Sequence, residues 1–307
     1  MLIAENKPPF DSPDYIYELK FDGIRCLAYL DMNGTELRNK RNKSLNFIYP
    51  ELCEIHKNIS RRCILDGELI VINNGRPDFQ EVQRRSLMTN PFKIKLAADK
   101  LPVCFTAYDV LYIGDEPVTA RPLMWRLGAL NELVKETPTL AISRIIEREG
   151  VAFFNVTKDQ GLEGIVAKRK DSLYFSGKRT KNWVKIKNLL DEDFIICGYY
   201  RNDESNGAVA SVIIGGYKNG QLVYQGHVAL GVSRHDFKLL EQSDRADASM
   251  YHSAGFLHFN NAIWLTPKLV CTIQYMERTK TGGLRQPVFK GIRLDKLPDE
   301  CVLPELK

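Results

Sequence analysis

The sequence predicts an α+β protein in two domains: antiparallel sheets with flanking helices, followed by a small β-barrel. Three observations carry that prediction. Short apolar runs rich in Ile, Val and Tyr alternate with turn residues in the first part of the chain. Stretches with apolar residues at helical spacing interrupt them. After Lys187 the pattern changes to strand-length runs separated by glycine-rich turns. The length, 307 residues, suits two ordinary domains, and 44% hydrophobic with 26% charged residues excludes wholesale disorder, a collagen-like repeat and a coiled coil.

In chain order, YIYELKF, IRCLAYL and CILDGELIVI read as antiparallel strands joined by turns at Asp22-Gly23 and Asn33-Gly34, the last run being bounded by Asn73, Asn74 and Gly75. FQEVQRRSLM and RPLMWRLGALNELVKE read as helices, the second with Pro122 near its start. Beyond a boundary near residue 188, FIICGYY, ASVIIGGY, LVYQGHVALG and KLVCTIQYME are short strands around one polar helix near HDFKLLEQS. That is the pattern of a barrel of the OB type. The domains are therefore expected at 1–188 and 189–307.

The net charge is mild, 43 − 38 = +5, but unevenly placed. Residues 1–188 hold 30 basic and 24 acidic side chains (+6), and residues 189–307 hold 13 and 14 (−1). Residues 168–187 alone carry eight basic side chains against one acidic, interleaved with Tyr174, Phe175 and Trp183. Such a run is either a solvated face or a surface for a polyanion. No window approaches eighteen consecutive apolar residues, and MLIAENKPPFD lacks the basic and apolar regions of a leader, so neither secretion nor membrane insertion is expected. The 7 cysteines are scattered, without a CxxC pair or a histidine at ligand spacing, as in a cytosolic chain with reduced thiols and no zinc site.

The sharpest local signal is Lys20-Phe21-Asp22-Gly23-Ile24-Arg25. A lysine at the end of a strand beside a tight turn points into the pocket that the sheet lines, and its amine can attack phosphorus. Glu68, in LDGEL, puts a carboxylate on the next strand, where it can hold a ribose hydroxyl or a divalent metal. Tyr108 in TAYDVLYIGD offers a flat face for a base, or fills the core. Glu163 and Lys168 set a carboxylate and a cation at opposite ends of the short strand EGIVAK. Lys185 and Lys187 alternate in WVKIK, so both emerge on one face, suited to a polyphosphate.

Together and in this order these segments resemble the motifs of the covalent nucleotidyltransferase superfamily, most closely the ATP-dependent DNA ligases. KFDGIR corresponds to the KxDGxR adenylylation motif, Arg41 in KRN to the short motif after it, and LDGEL, AYDVLY, EGIVAK and WVKIK to those that follow. The run from Arg278 to Lys296, RTKTGGLRQPVFKGIRLDK, is similar to the last motif, RxDK, with the lead-in typical of DNA ligases. LYFSGKRTKNWVKIKN resembles the ligase module of bacterial end-joining ligases and their small stand-alone relatives.

The resemblance implies a nucleotidyltransferase (adenylation) domain followed by an OB domain. It also implies three phosphoryl transfers: ATP to Lys20, lysyl-AMP to the 5′-phosphate at a nick, and attack of the 3′-hydroxyl with loss of AMP. Glu18 would recognise the adenine amino group, Tyr108 would stack on the ring, and Glu68 would contact the ribose. Glu163, with Glu68, would hold a catalytic Mg²⁺ or Mn²⁺. Lys185 and Lys187 would neutralise the α-phosphate, and Arg25 and Lys168 would line the nucleotide site. Asp22, Arg25 and Arg41 would engage the nick. Arg293, Asp295 and Lys296 form the RxDK motif, whose two cations would orient the leaving pyrophosphate. The implied partner is nicked duplex DNA, with an end-binding repair protein as a candidate, for a monomer acting in a bacterial or phage-type cytoplasm. His56, His227, His235, His252 and His258 are left to structure or surface.

Three rivals remain at this level. A capping-type guanylyltransferase would form lysyl-GMP; Glu18 and the LRQPVFKGIR lead-in favour the DNA ligase. A simple RNA ligase lacks that lead-in. A non-catalytic OB nucleic-acid-binding module would have no need for Lys20, Glu68, Glu163 and Lys185 together.

Overall fold

The computed structural model describes residues 1–201, 209–253, 256, 262–279 and 282–304. His258 and, in the C-terminal motif run, Lys280 and Thr281 lie outside them, as does the side chain of His252. The chain divides into two compact units, Met1–Asn188 and Leu189–Lys307.

The first unit is built on two sheets. One carries, side by side, Leu2–Asn6, Arg179–Lys187, Gly164–Arg169, Tyr15–Leu19 and Ile145–Glu147, antiparallel except for the first pair. The other carries Gly34–Asn39, Ile24–Asp31, Cys63–Asn73, Val103–Ile113 and Glu116–Pro117, with Arg76–Pro77 and the parallel strand Leu140–Ile142 attached. Leu30, Leu65, Phe105, Leu127 and Leu130 form part of one continuous core on the second sheet, where the helix Leu123–Leu133 packs. Each such side chain contributes about 1.5–3 kcal/mol by leaving water.

One expected turn is not a hairpin. The strands on either side of Asp22-Gly23 enter different sheets, so Lys20–Gly23 is a crossing segment between them. The glycine serves a close approach: a Cβ at Gly23 would lie 2.3 Å from the Leu69 carbonyl oxygen. The second expected hairpin forms, with Asp31 opposite Gly34 and Asp31 Oδ1 accepting from the Asn33 and Gly34 backbone N–H groups at 2.7 and 3.0 Å.

Both expected helices are present, Phe79–Ser86 with Asp78 as its cap and Leu123–Leu133 directly after Pro122. Two more α-helices of the first unit were not foreseen. Pro91–Lys100 starts with proline behind an Asn90 cap, whose side chain accepts from the Lys93 N–H at 3.1 Å, a signal legible in the sequence. Gly150–Asp159 has no side-chain cap to announce it.

The second unit is a five-stranded antiparallel sheet in the order Gln221–Val228, Val209–Lys218, Leu190–Arg201, Ala262–Tyr275, Val288–Arg293. Its edges meet where Phe289 N–H donates to the Leu230 carbonyl at 2.8 Å, giving the strand order and partial closure of an OB barrel. The polar helix expected there is Arg234–Gln242, fastened by a capping box between Ser233 and Asp236. Phe194, Ile196, Val212, Ile214 and Phe289 fill the interior.

Candidate active site

The nucleophile candidate sits one residue past the end of Tyr15–Leu19, where Lys20 N–H still donates to the Gly164 carbonyl at 2.9 Å. That bond sets Lys20 against the Glu163-Gly164 corner, and Lys20 Nζ donates to Glu163 Oε2 at 2.7 Å. Gly164 has φ +127, and a Cβ there would lie 2.1 Å from the Ile186 carbonyl oxygen, so only glycine lets the two strands come this close. The Glu163 side chain is only 5% exposed and lies between two ammonium groups, the second being Lys187 Nζ at 3.7 Å. Burial lowers the Lys187 ammonium from its ordinary value; Glu163 draws it back up, while Lys20 and Lys185 press it down. Among the described residues Lys185 has no ion-pair partner.

Lys20 lines a cavity of ≈ 170 Å³ together with Glu18, Arg25, Glu68, Tyr108, Lys168 and Trp183. Glu18 and Lys168 occupy diagonal positions on adjacent strands, Glu18 being opposite Val166, and they form a buried ion pair of 2.7 Å. Lys168 Nζ also lies 4.7 Å from the centre of the Tyr108 ring and 4.3 Å from that of Trp183. Burial pushes the Glu18 carboxyl up and Lys168 holds it down. Lys168, expected as a nucleotide contact, thus has its charge engaged by Glu18 at the cavity wall.

The opposite wall comes from the second sheet. Arg25 stands opposite Glu68 in register. Its guanidinium grips Asp66 with Nε at 3.0 Å and a terminal nitrogen at 2.6 Å, and donates further to the Met1 carbonyl at 2.7 Å and the Tyr174 hydroxyl at 2.9 Å. Arg25, expected to line the nucleotide site and to engage the nick, lines the cavity and has these donors engaged by Asp66, Met1 and Tyr174. Tyr108 donates to Asp66 at 3.1 Å, and Tyr174 does so at 2.7 Å. Burial raises the Tyr108 phenol well above its ordinary value, with Asp66 adding to it, so it remains a donor. Burial likewise raises Glu68 to about 8, against the pull of Lys20. Behind Tyr108, Arg126 and Asp109 make a fully buried pair at 2.7 and 2.8 Å.

The basic run is not one surface. Lys168, Tyr174 and Trp183 are buried, whereas Leu173, Phe175, Lys178, Arg179 and Lys181 are exposed. Asp22 lies in the crossing segment. Arg41 is exposed in the turn after Gly34–Asn39, its backbone N–H bonded to Asn39 Oδ1 at 2.9 Å, and it does not line the cavity.

In the second unit, Arg293 donates two hydrogen bonds to the Asp295 carboxylate, at 2.8 and 2.7 Å. Hydrogen bonding from Arg293 holds the Asp295 carboxyl down at about 2. Arg293 and Lys296 also share Asp193 Oδ2, at 3.5 and 3.4 Å, and the Thr272 hydroxyl donates to the other oxygen of Asp193 at 2.6 Å. Asp66, Tyr174, Asp193 and the Arg126–Asp109 pair escaped assignment from sequence. The pair joins elements that no local spacing connects, while Tyr174 was visible only as an aromatic in a basic run.

The sequence matches the family profile of the ATP dependent DNA ligase domain over residues 4–187, and that of the ATP dependent DNA ligase C terminal region over residues 205–296. The chain belongs to the ATP-dependent DNA ligases. It is 30% identical to the SPbeta prophage-derived DNA ligase-like protein LigB of Bacillus subtilis, over 96% of this ligase and 98% of that protein. It is 28% identical to the multifunctional non-homologous end joining DNA repair protein LigD of Mycobacterium tuberculosis, over 94% of this chain but 37% of LigD. Among solved structures, mycobacterial DNA ligase D complexed with ATP and MES superimposes with a TM-score of 0.56 at 27% identity, covering 99% of this ligase and 97% of that chain. No helix among the described residues is long and apolar enough to cross a membrane. All seven cysteines of the ligase are free thiols.

Proposed function

We propose that this ligase seals 3′-hydroxyl/5′-phosphate nicks in duplex DNA through AMP carried on Lys20. The observation that carries the reading is the Lys20 amine held 2.7 Å from Glu163 at a cavity that Glu18, Glu68 and Tyr108 also line. In the first transfer the lone pair of Lys20 Nζ attacks the α-phosphorus of ATP. A P–N bond forms, the bond to the β-phosphate oxygen breaks, pyrophosphate leaves, and the amine gives up its proton. Lys185 and Lys187 neutralise the charge that grows on the α-phosphate. Glu18 receives the adenine amino group, Tyr108 supplies the stacking face, and Glu68 holds the ribose. Arg293 and Lys296 act on the leaving pyrophosphate, a group absent from the later transfers. Asp22 and Arg41 engage the nick, as do the exposed Lys178, Arg179 and Lys181, with nicked duplex as the partner and end joining one of the settings that a LigD-like module serves.

The residues also fit a divalent cation. Among the described residues no cluster of three or more ligating side chains makes a closed cage. A Mg²⁺ carried by a polyphosphate needs only one or two carboxylates, and Glu163 and Glu68 are of that kind. When bound, the ion would screen the phosphate oxygens.

Incubation with α-labelled ATP should leave a covalent adduct on a denaturing gel, lost in Lys20→Ala. The same variant should still seal a nick adenylylated beforehand, because the last step has no use for the amine. An adduct that persists in Lys20→Ala, or labelling by GTP as strong as by ATP, would overturn the reading.

A further inference from the structure

Tyr174 stands behind the pocket wall, bonded to the cavity-lining Arg25, and no step of the proposed reaction uses it. Its side chain is 6% exposed. The ring meets Trp183 edge-on at 6.1 Å, the Arg126 guanidinium stands 5.9 Å from its centre, and its backbone N–H donates to the Thr119 carbonyl at 2.9 Å. Held on these sides, the ring leaves its hydroxyl little choice of position. That hydroxyl donates to Asp66 Oδ2 at 2.7 Å and accepts from Arg25 at 2.9 Å. A phenol has one proton to give, and the Asp66 carboxylate takes it, leaving the oxygen lone pairs for Arg25. Burial and the charge of Asp66 raise the phenol, so the direction of donation is fixed.

Asp66 is 0% exposed, and each of its oxygens takes two donors. Oδ1 accepts from Arg25 and Tyr108, and Oδ2 from Arg25 and Tyr174. The carboxylate is thus a hub from which the Tyr108 ring and the Arg25 guanidinium hang. Without the Tyr174 donor it can turn about its last bond, and both suspended groups lose a fixed support.

We propose that Tyr174 is a positioning residue of the nucleotide pocket, its hydroxyl locking Asp66 and Arg25 and, through Asp66, setting the plane of the Tyr108 ring on which the base lies. The inference rests on the stacking role given to Tyr108 above. A role in stability alone would lower the melting temperature and leave ATP handling untouched in the folded enzyme.

Tyr174→Phe keeps the ring and its contacts with Trp183, Arg126 and Thr119, and deletes only the hydroxyl. For enzyme adenylylation its KM for ATP should rise about tenfold, the size of one lost hydrogen bond to a charged group, with kcat changed less than about twofold. In a Tyr108→Ala background the same substitution should change KM by less than about twofold, because the ring it positions is gone. Unchanged KM in Tyr174→Phe, or an equal rise in both backgrounds, overturns the positioning role. If Tyr108→Ala alone leaves KM unchanged, the stacking role itself falls, and the two failures are told apart.

Discussion

Arg126 in the first unit and Arg293 in the second are both held by a carboxylate through two hydrogen bonds, yet they are held for opposite purposes. Arg126 and Asp109 are fully buried, and the guanidinium also donates to the Arg121 and Ser172 carbonyls at 2.5 and 2.9 Å. Arg293 is more than a third exposed, shares Asp193 with Lys296, and is paired besides with the exposed Asp295. A buried pair is costly to break and so behaves as fixed scaffold, whereas a solvated pair has little net worth and can change partners. The wall of the nucleotide pocket is built from the first kind of interaction. The cations assigned to a transient leaving group are built from the second.

The largest test of this contrast is Arg126→Ala against Arg293→Ala in denaturant unfolding. Removing Arg126 strands a buried carboxylate and should cost about 3–5 kcal/mol. Arg293→Ala should leave the unfolding curve of the second unit in place while adenylylation falls. Similar shifts for both would break the comparison.

A second test uses acidity. Glu68 carries a folded-state value of about 8 against 4.5 for the free side chain, because burial disfavours its charge. An acid raised in this way binds its proton more tightly in the native state. The stability it contributes is complete below about pH 4.5 and drains away as the pH rises towards 8. Glu68→Gln should therefore flatten the fall of melting temperature between pH 5 and 8, gaining most at the upper end. A slope as steep as that of the parent protein would show that Glu68 is better solvated than its surroundings suggest.

The smallest effect is expected at Asp193. Asn in its place keeps an acceptor for Thr272 and removes the charge that Arg293 and Lys296 share. Both cations then meet anions with less competition, so pyrophosphate should inhibit adenylylation about two- to fivefold more strongly, with no change in melting temperature. Weaker inhibition would mean that Asp193 orients the cations for phosphate, and the second unit would then be as preorganised as the first.

Legibility in the sequence followed the range of the physics. Strand-length apolar runs and turn residues located most strands, since both are local, and the strand succession after Lys187 was enough to expect an OB barrel. The Asp22-Gly23 turn misled because the same dipeptide suits a hairpin and a crossing, and only the distant Leu69 carbonyl decides between them. Most expected pocket residues converge, Lys20 with Glu163 and Glu18 with Lys168. Their mutual commitments were invisible, as was the engagement of Arg25, because Asp66, Tyr174 and the Met1 carbonyl reach it from three separate segments. Arg41 stands apart in its turn.

The crossing segment Lys20–Gly23 has a further consequence, for which sequence changes the ligase can absorb. Four residues span at most about 14 Å, and here both ends are tied, one by the Lys20 bond to Gly164 and the other by Gly23 pressed on Leu69. One inserted residue would add about 3.5 Å of chain, more than the whole 2.7 Å contact between the Lys20 amine and Glu163. Neither the length of the segment nor Lys20 and Gly23 at its ends can change, the one for its amine and the other for the 2.3 Å that a Cβ would leave to the Leu69 carbonyl oxygen. Insertions and deletions are tolerable in the outlying turns, and this short bridge works as a fixed ruler in the chain.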